Sequence, residues 1–267
     1  MRTFSALTPP APETVMQVVR ESGCFVCTDV FDADFLARAK PALERAIEKE
    51  VEYHGTTDYI DYGMVLACAL YGSEFLEPFE NPAMMGPLDA VLGTGSILYA
   101  YTSSSMPPNR TNYSRRIHRD CPTTRMNNAF LTSFGALVLL DDFTLDNGAT
   151  YFLEGSHTMK EPPSAEEFYD KAYRLVAPAG SVMFIDPLVY HAGGDNKTDQ
   201  WRHAITIAMC RPWMKQRLDF PRLLANTDLT DVSEHVKQKL GFLAQVPASY
   251  DEYYAPLEQR KYRQKPE

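Results

Sequence analysis

Between residues 95 and 213 the chain reads as a succession of short β segments broken by turn residues, and this pattern restricts its fold more than any other feature. The β-rich stretches are GSILYAYTSSSM (95–106), AFLTSFGALVLLDD (129–142), ATYFLEGSH (149–157), YRLVAPAGSVMFID (173–186) and RHAITIAMCRPW (202–213). Asp-Asn-Gly (146–148), Ala-Gly-Ser and Gly-Gly-Asp sequences punctuate them. Most of these stretches have no helix between them, so the pattern predicts an antiparallel barrel or a double-sheet jelly roll. One insertion, SAEEFYDKAY, begins with Ser164 and Glu167 at capping-box spacing and predicts a short helix between two strands.

The flanks differ in character. PETVMQVVRESG has a proline near its start and a glycine at its end, as helices do. GCFVCTDVF predicts a strand over 24–29. The stretch after it carries Phe35, Leu36, Ala39, Leu43, Ala46 and Ile47 at helical spacing, with Asp32 as the expected N-cap and Pro41 expected to kink or split the helix. Beyond 213, SEHVKQKLGFLAQ is the clearest helix. The expectation is one domain over 1–267: a helical N-terminal part (about 1–94), a β core (about 95–213) and a helix-and-loop tail (214–267). The fold class is mainly β with flanking helices.

A net charge of -9 repels phosphate backbones and anionic lipid, so neither nucleic acid nor membrane is an expected partner. No apolar run approaches the roughly 18 residues of a membrane span, and the opening residues lack the apolar block of a secretory signal. Five cysteines, an odd and scattered set, suit reduced thiols and a cytoplasmic setting. Cys24 and Cys27 form a lone CxxC in a strand, where this spacing sends the two thiols to opposite faces, so a structural role is expected.

The chemistry gathers at RRIHRDCP (115–122). On a strand, His118 and Asp120 point to one face and can offer a nitrogen and an oxygen to one point. Read alone, they could equally be a surface pair. A catalytic metal needs a third ligand, and among six histidines His191 is the best placed, closing a strand-like run before a Gly-Gly turn. Two histidines and one carboxylate on one side of an octahedral metal is the arrangement associated with non-heme Fe(II) oxygenases. Arg202 opens the last β stretch, eleven residues after His191. A buried arginine there calls for an anion, and its planar fork suits a carboxylate, although Asp195 or Asp199 across a turn could also pair with it.

HRD (118–120), DNGATYFLEGSH (146–157) and AGSVMFIDPLVYHAGGDNKTDQWRHAI (179–205) together resemble the phytanoyl-CoA dioxygenase-like family, Fe(II)- and 2-oxoglutarate-dependent oxygenases with a double-stranded β-helix, cupin-like core. The resemblance runs from about residue 20 to about 215. It implies His118, Asp120 and His191 as iron ligands, Arg202 as partner of the far carboxylate of 2-oxoglutarate, and Gly193 as the small residue where that cosubstrate passes close. It implies His157 as structural, and Glu154 departs from a position where the family usually has proline. The implied reaction consumes O2 and 2-oxoglutarate, releases succinate and CO2, and by default hydroxylates a small molecule. Asp120 fills the position that halogenating relatives leave to chloride. The rival reading is a β-barrel that kept the fold as a metal- or ligand-binding protein without turnover. A small metabolite, from secondary metabolism, is the expected substrate, and the oligomeric state stays open, with a homodimer among the options.

YTSSSMPPNRTNYSRR (101–116) leads into the metal motif and is rich in hydroxyls and arginine. It reads either as a solvated loop or as a mobile, substrate-facing lid. In the second case Tyr101, Ser103, Asn112, Tyr113 and Arg116 are the substrate candidates. DYIDYGMVLACALYG (58–72) is a candidate second wall. His203, next to Arg202 on the same strand, is expected to face the other way.

Overall fold

The computed structural model describes residues 1–110, 112–120 and 130–262, with Tyr113 by its backbone alone. Among the described residues nine strands form: β1 (Thr3–Ser5), β2 (Cys24–Thr28), β3 (Ile97–Ser103), β4 (Ser133–Leu139), β5 (Tyr151–Phe152), β6 (Tyr173–Arg174), β7 (Val182–Ile185), β8 (His191–Ala192) and β9 (Ala204–Cys210). Six of them make one sheet in the order β1-β2-β7-β4-β9-β3, antiparallel apart from the β1–β2 pair. The other three make a small sheet, β6-β5-β8. His118 extends it by a bridge to His191. These two layers are the jelly-roll arrangement the turn-rich pattern predicts.

Alternation along the strands of the large sheet gives it two different faces. Phe25, Phe134, Val138, Phe184, Ile205, Ile207 and Met209 point one way, into a core covered by α1 (Pro12–Ser22), α2 (Ala33–His54) and α3 (Pro82–Leu92). Phe25 stacks on Phe184, ring centroids 5.0 Å apart. Each such ring, wholly buried, contributes about 1.5–3 kcal/mol. Leu137, Leu139, Met183, Ile185 and Ala204 point the other way and meet Phe143, Phe152, Leu175 and Val189 beneath the small sheet. Cys24 packs with this second cluster and Cys27 with the first, so the CxxC thiols do lie on opposite faces. Burial pushes them up to about 12 and about 11, which leaves them protonated and unreactive at neutral pH.

Local signals held at the helix ends. The Asp32 side chain accepts from Phe35 N (2.9 Å), and Ser164 and Glu167 form both bonds of a capping box at the start of Ala165–Lys171. Pro41 does not split α2, which runs unbroken through it. Both Pro41 and Ala37, whose carbonyl the proline leaves without a helical donor, are exposed, so water can serve that carbonyl. The tail forms short helices at Phe220–Leu223, Glu234–Leu240 and Tyr250–Tyr254.

Two β stretches are shorter or more divided than the sequence suggests. Within 149–157 only Tyr151–Phe152 is strand, because Gly155 turns at φ 79 and Ser156–Thr158 coils into a 3-10 helix. The Ser156 hydroxyl accepts from Tyr190 N (2.8 Å). Stretch 173–186 crosses from the small sheet (β6) to the large one (β7) at Gly180, φ 81, where a Cβ would lie 2.2 Å from Phe31 O. The N-terminal part, expected to hold one strand, supplies two to the main sheet. The stretch expected from 129 begins at a residue outside the described ones and is strand from Ser133. Among the described residues no helix is long and apolar enough to cross a membrane.

Candidate metal centre

The ligand triad is assembled by strand pairing. His118 N donates to His191 O and His191 N to His118 O, both at 3.0 Å. The two residues are thus a directly opposed, hydrogen-bonded antiparallel pair whose side chains share a face. Their ring centroids lie 4.2 Å apart. Asp120 N donates to Pro187 O (3.0 Å), which keeps the i+2 residue on the same ladder. One donor atom from each of His118, Asp120 and His191 falls within 4.8 Å of the others, and each imidazole Nε2 is 3.7 Å from Asp120 Oδ1.

Backbone carbonyls fix which ring nitrogens face the centre. His118 Nδ1 lies 2.7 Å from Arg116 O and His191 Nδ1 3.0 Å from Val189 O. A carbonyl only accepts, so each Nδ1 carries the hydrogen and each Nε2 presents a lone pair. Burial first, and then the neighbouring His191, hold His118 below the ordinary imidazole range, which favours the neutral, ligating form. This donor set could hold a divalent metal on one side and leave the other side to exchangeable ligands.

The residues between the ligands brace them from behind. Arg119 stacks over the Tyr190 ring at 4.1 Å and donates to Met159 O at 2.8 Å. Each of the two neighbours a ligand, so their contact ties the strands together on the face away from the metal. Arg119→Ala is expected to weaken Ni(II) binding by about tenfold, as loss of outer support does, in equilibrium dialysis. Unchanged affinity would show that strand pairing alone sets the geometry.

Beside the triad lies a cavity of about 210 Å³ between the two sheets. Its floor is a lateral row of the large sheet, where Gly135 pairs with Ala208 and Ala208 with Ala100. Three adjacent strands offer nothing beyond a Cβ there, and Ile185, paired with Gly135, ends the row. The next row pairs Leu137 with Thr206 and Thr206 with Thr102. Phe152 and Thr150 face these rows from the small-sheet side, and Met64, from the 58–72 stretch, adds to the wall.

Arg202 begins β9's approach, bridged to Met106. It is 1% exposed, its guanidinium sits 4.2 Å from the centre of the Phe143 ring, and Nε and Nη1 have no hydrogen-bond partner among the described residues. Burial pushes it down to about 9, with Asp141 pulling the other way, so it remains cationic at neutral pH. It pairs with neither Asp195, which takes Arg115 at 3.3 Å, nor Asp199. It is not among the residues lining the cavity. His203 makes its own contacts: Nδ1 to Ser105 Oγ at 2.9 Å and its ring on Trp201 at 5.5 Å. Gly193 does line the cavity, and a Cβ there would lie 2.5 Å from Ser114 Oγ, so Ser114 is one reason for its size.

The 101–116 candidates separate. Tyr101 is fully buried on the helix side of the sheet with its hydroxyl donating to Phe75 O (2.8 Å), so it does not face the substrate. Ser103 lines the cavity, but its hydroxyl donates to Gly63 O and accepts from Val65 N, both at 2.9 Å. Asn112 lines the cavity and holds Ser114 through Oδ1. Arg116 is exposed and lies outside the cavity, with Ile60, Arg115 and Tyr169 in a shallow depression that Asn112 also borders. The Tyr113 side chain lies outside what is described. Residues 101–106 are not loop: 101–103 end β3, and Ser104 N and Met106 N donate to Ala204 O and Arg202 O at 2.8 Å. Sequence reasoning missed Gly135, Ala208, Tyr99, Met214 and Arg217 as lining residues, since no local motif marks them.

The sequence model of a family described as phytanoyl-CoA dioxygenase matches residues 19–204, in line with the motif resemblance. An uncharacterised protein, Rv1501 of Mycobacterium tuberculosis, is 28% identical over 249 residues, 90% of each chain. The dioxygenase FUM3 of Gibberella moniliformis is 30% identical over 113 residues, 42% of this chain and 37% of that protein. Among solved structures, the apo form of the non-heme monooxygenase ThoJ shares the fold, with a TM-score of 0.63 at 16% identity, covering 84% of this chain and 96% of that one.

Proposed function

This chain belongs to the phytanoyl-CoA dioxygenase family, and on that premise we propose that it is a non-heme Fe(II)- and 2-oxoglutarate-dependent dioxygenase that hydroxylates a small metabolite. The observation that carries this reading is the convergence of His118, Asp120 and His191 within 4.8 Å, with both Nδ1 atoms committed to carbonyls. The donor set, one carboxylate and two neutral imidazoles, suits Fe(II). The two unpartnered N–H groups of buried Arg202 suit the far carboxylate of a dicarboxylate cosubstrate. When bound, iron(II) with 2-oxoglutarate supplies oxidation by O2, with succinate and CO2 as co-products.

The chain's own residues do the rest. His118, Asp120 and His191 hold the ion from one side. Arg202 fixes the cosubstrate's orientation. The bare row at Gly135, Ala208 and Ala100 admits the substrate, while Leu137, Phe152 and Ile185 give apolar walls that keep water away and present one C–H to the metal side. The reading extends to a cytoplasmic protein acting on a small molecule, with secondary metabolism as the favoured setting. Four described cysteines, all buried and unpaired, support a reducing environment.

Anaerobic Fe(II) loading followed by O2 and carboxyl-labelled 2-oxoglutarate tests the proposal. Iron-dependent release of labelled CO2 with equimolar succinate is the expected result. Metal binding without any such release would leave a non-catalytic binding barrel. A second expectation concerns the floor. Ala208→Phe fills the row from its middle strand and should weaken substrate binding by about tenfold or more, while the overpacking cost stays near the 1–3 kcal/mol of a filled core site. Substrate affinity by calorimetry, set beside an unchanged Ni(II) affinity, is the check; equal substrate affinity would move the binding site elsewhere.

A further inference from the structure

We infer that the segment after the last strand, and Arg217 in particular, selects the substrate class: a compact, mostly apolar molecule carrying one carboxylate-like anionic group. The inference rests on the oxygenase reading for the fate of that molecule, and on the cavity alone for its binding.

β3 is an edge strand of the large sheet, and the tail covers that edge. Arg217 N donates to Tyr99 O (2.9 Å), and Gln216 Nε2 donates to Leu98 O (2.7 Å) and to Leu240 O (3.2 Å). Gly241, at φ 92, ends the helix Glu234–Leu240 where any Cβ would lie 2.9 Å from the Gln216 amide. That helix is itself anchored by buried Lys239, which donates to Thr94 O and Ser96 Oγ at 3.0 Å and pairs with Asp89. The tail is therefore a fixed wall, and it places Met214 and Arg217 in the cavity lining. Both residues fall outside the stretch that matches the family, 19–204.

The strand meets this wall with a bulge. Register slips between Leu98 and Ala100, so Tyr99 is the extra residue. Leu98 and Tyr101 keep to the helix-side core, and consecutive residues Tyr99 and Ala100 both line the cavity. Bulges re-aim side chains in this way beside functional sites.

Among the described residues Arg217 is the only Lys or Arg in the lining, and it forms no ion pair. It is also a different anion site from Arg202. Arg217 lines the cavity and Arg202 does not, and their backbones meet the β3 chain at different places, Arg217 at Tyr99 and Arg202 at Met106. The walls in between, Leu137, Phe152, Ile185 and Met214, are apolar, which sets the body of the ligand.

The test uses matched probes: 4-phenylbutyrate against 4-phenylbutyramide and decanoate against decanamide, with phenyl phosphate as a second anion. Affinities are read by calorimetry and ligand-observed NMR on the full chain, with and without Ni(II) and saturating 2-oxoglutarate. A carboxylate preference of up to about fivefold is expected, as for one charge-assisted contact to an exposed arginine. It should be lost in Arg217→Gln and kept in Arg217→Lys, and because Arg217 is exposed all three proteins should melt together. A phosphate preferred over both carboxylates would reassign the anion and overturn the carboxylate class. Equal binding of acid and amide, binding of neither, or a preference that survives Arg217→Gln overturns the proposal. Iron-dependent succinate release by the wild-type chain is scored separately: its absence refutes the oxygenase reading and leaves the anion site standing, whereas its presence without a carboxylate preference refutes the anion site alone.

Discussion

Asp120→Ala is expected to lower metal affinity by about a hundredfold or more, beyond the roughly 10–100-fold that outer-shell losses cause, and to abolish succinate release. Asp120 supplies the sole oxygen of the candidate donor set, and its carboxylate lies 3.7 Å from each Nε2. Without it two neutral imidazoles remain, and no other Asp or Glu among the described residues joins that group. The fold should hardly notice. The side chain is half exposed, and its backbone bond to Pro187 O survives the change. A melting temperature within a few degrees of wild type therefore accompanies the loss, in keeping with about 0.5 kcal/mol for a surface substitution. Dialysis against Ni(II) with elemental analysis separates the outcomes, and wild-type affinity in the variant would remove Asp120 from the centre.

Much of what was legible in the sequence depends on spacing within one element, while His191, in another segment, was found from its place before a Gly-Gly turn and from the motif resemblance. His118 and Asp120 are two apart, and strand alternation puts them together whatever their neighbours do. Asp32 and Ser164 act on residues three positions on. Cys24 and Cys27 follow the same parity to opposite faces. Tyr101 shows how parity misleads. Alternation alone puts Tyr99 and Tyr101 on one face, and a single bulge sends Tyr99 to the cavity and Tyr101 to the core. The floor was hidden for a different reason. Gly135, Ala208 and Ala100 come from three strands far apart in sequence and become neighbours only through register. Arg217 was hidden because its role depends on an edge left open by β3, which no property of the tail announces.

Arg202→Leu is expected to raise the melting temperature of the cosubstrate-free protein and to remove its response to 2-oxoglutarate. A wholly buried guanidinium with two unpartnered N–H groups is a cost in the absence of an anion, offset in part by its stacking on Phe143. Leucine keeps an apolar contact with that ring and removes the buried charge. Replacements of this kind stabilise by about 1–4 kcal/mol, and at this chain length each kcal/mol moves the midpoint by about 2–4 °C. With 2-oxoglutarate the order reverses. Wild type gains stability from a ligand that the folded state alone binds, by about 2.7 kcal/mol at a hundredfold excess over Kd, and the leucine variant gains none. Arg202→Lys separates charge from shape: it keeps a cation but loses the fork, so it should raise the apparent KM for 2-oxoglutarate with little effect on that for substrate. Melting curves with Ni(II), with and without 2-oxoglutarate, decide the matter. A leucine variant that is less stable than wild type without cosubstrate would mean that Arg202 is held by partners of its own, and one that still responds to 2-oxoglutarate would place the far carboxylate on another residue.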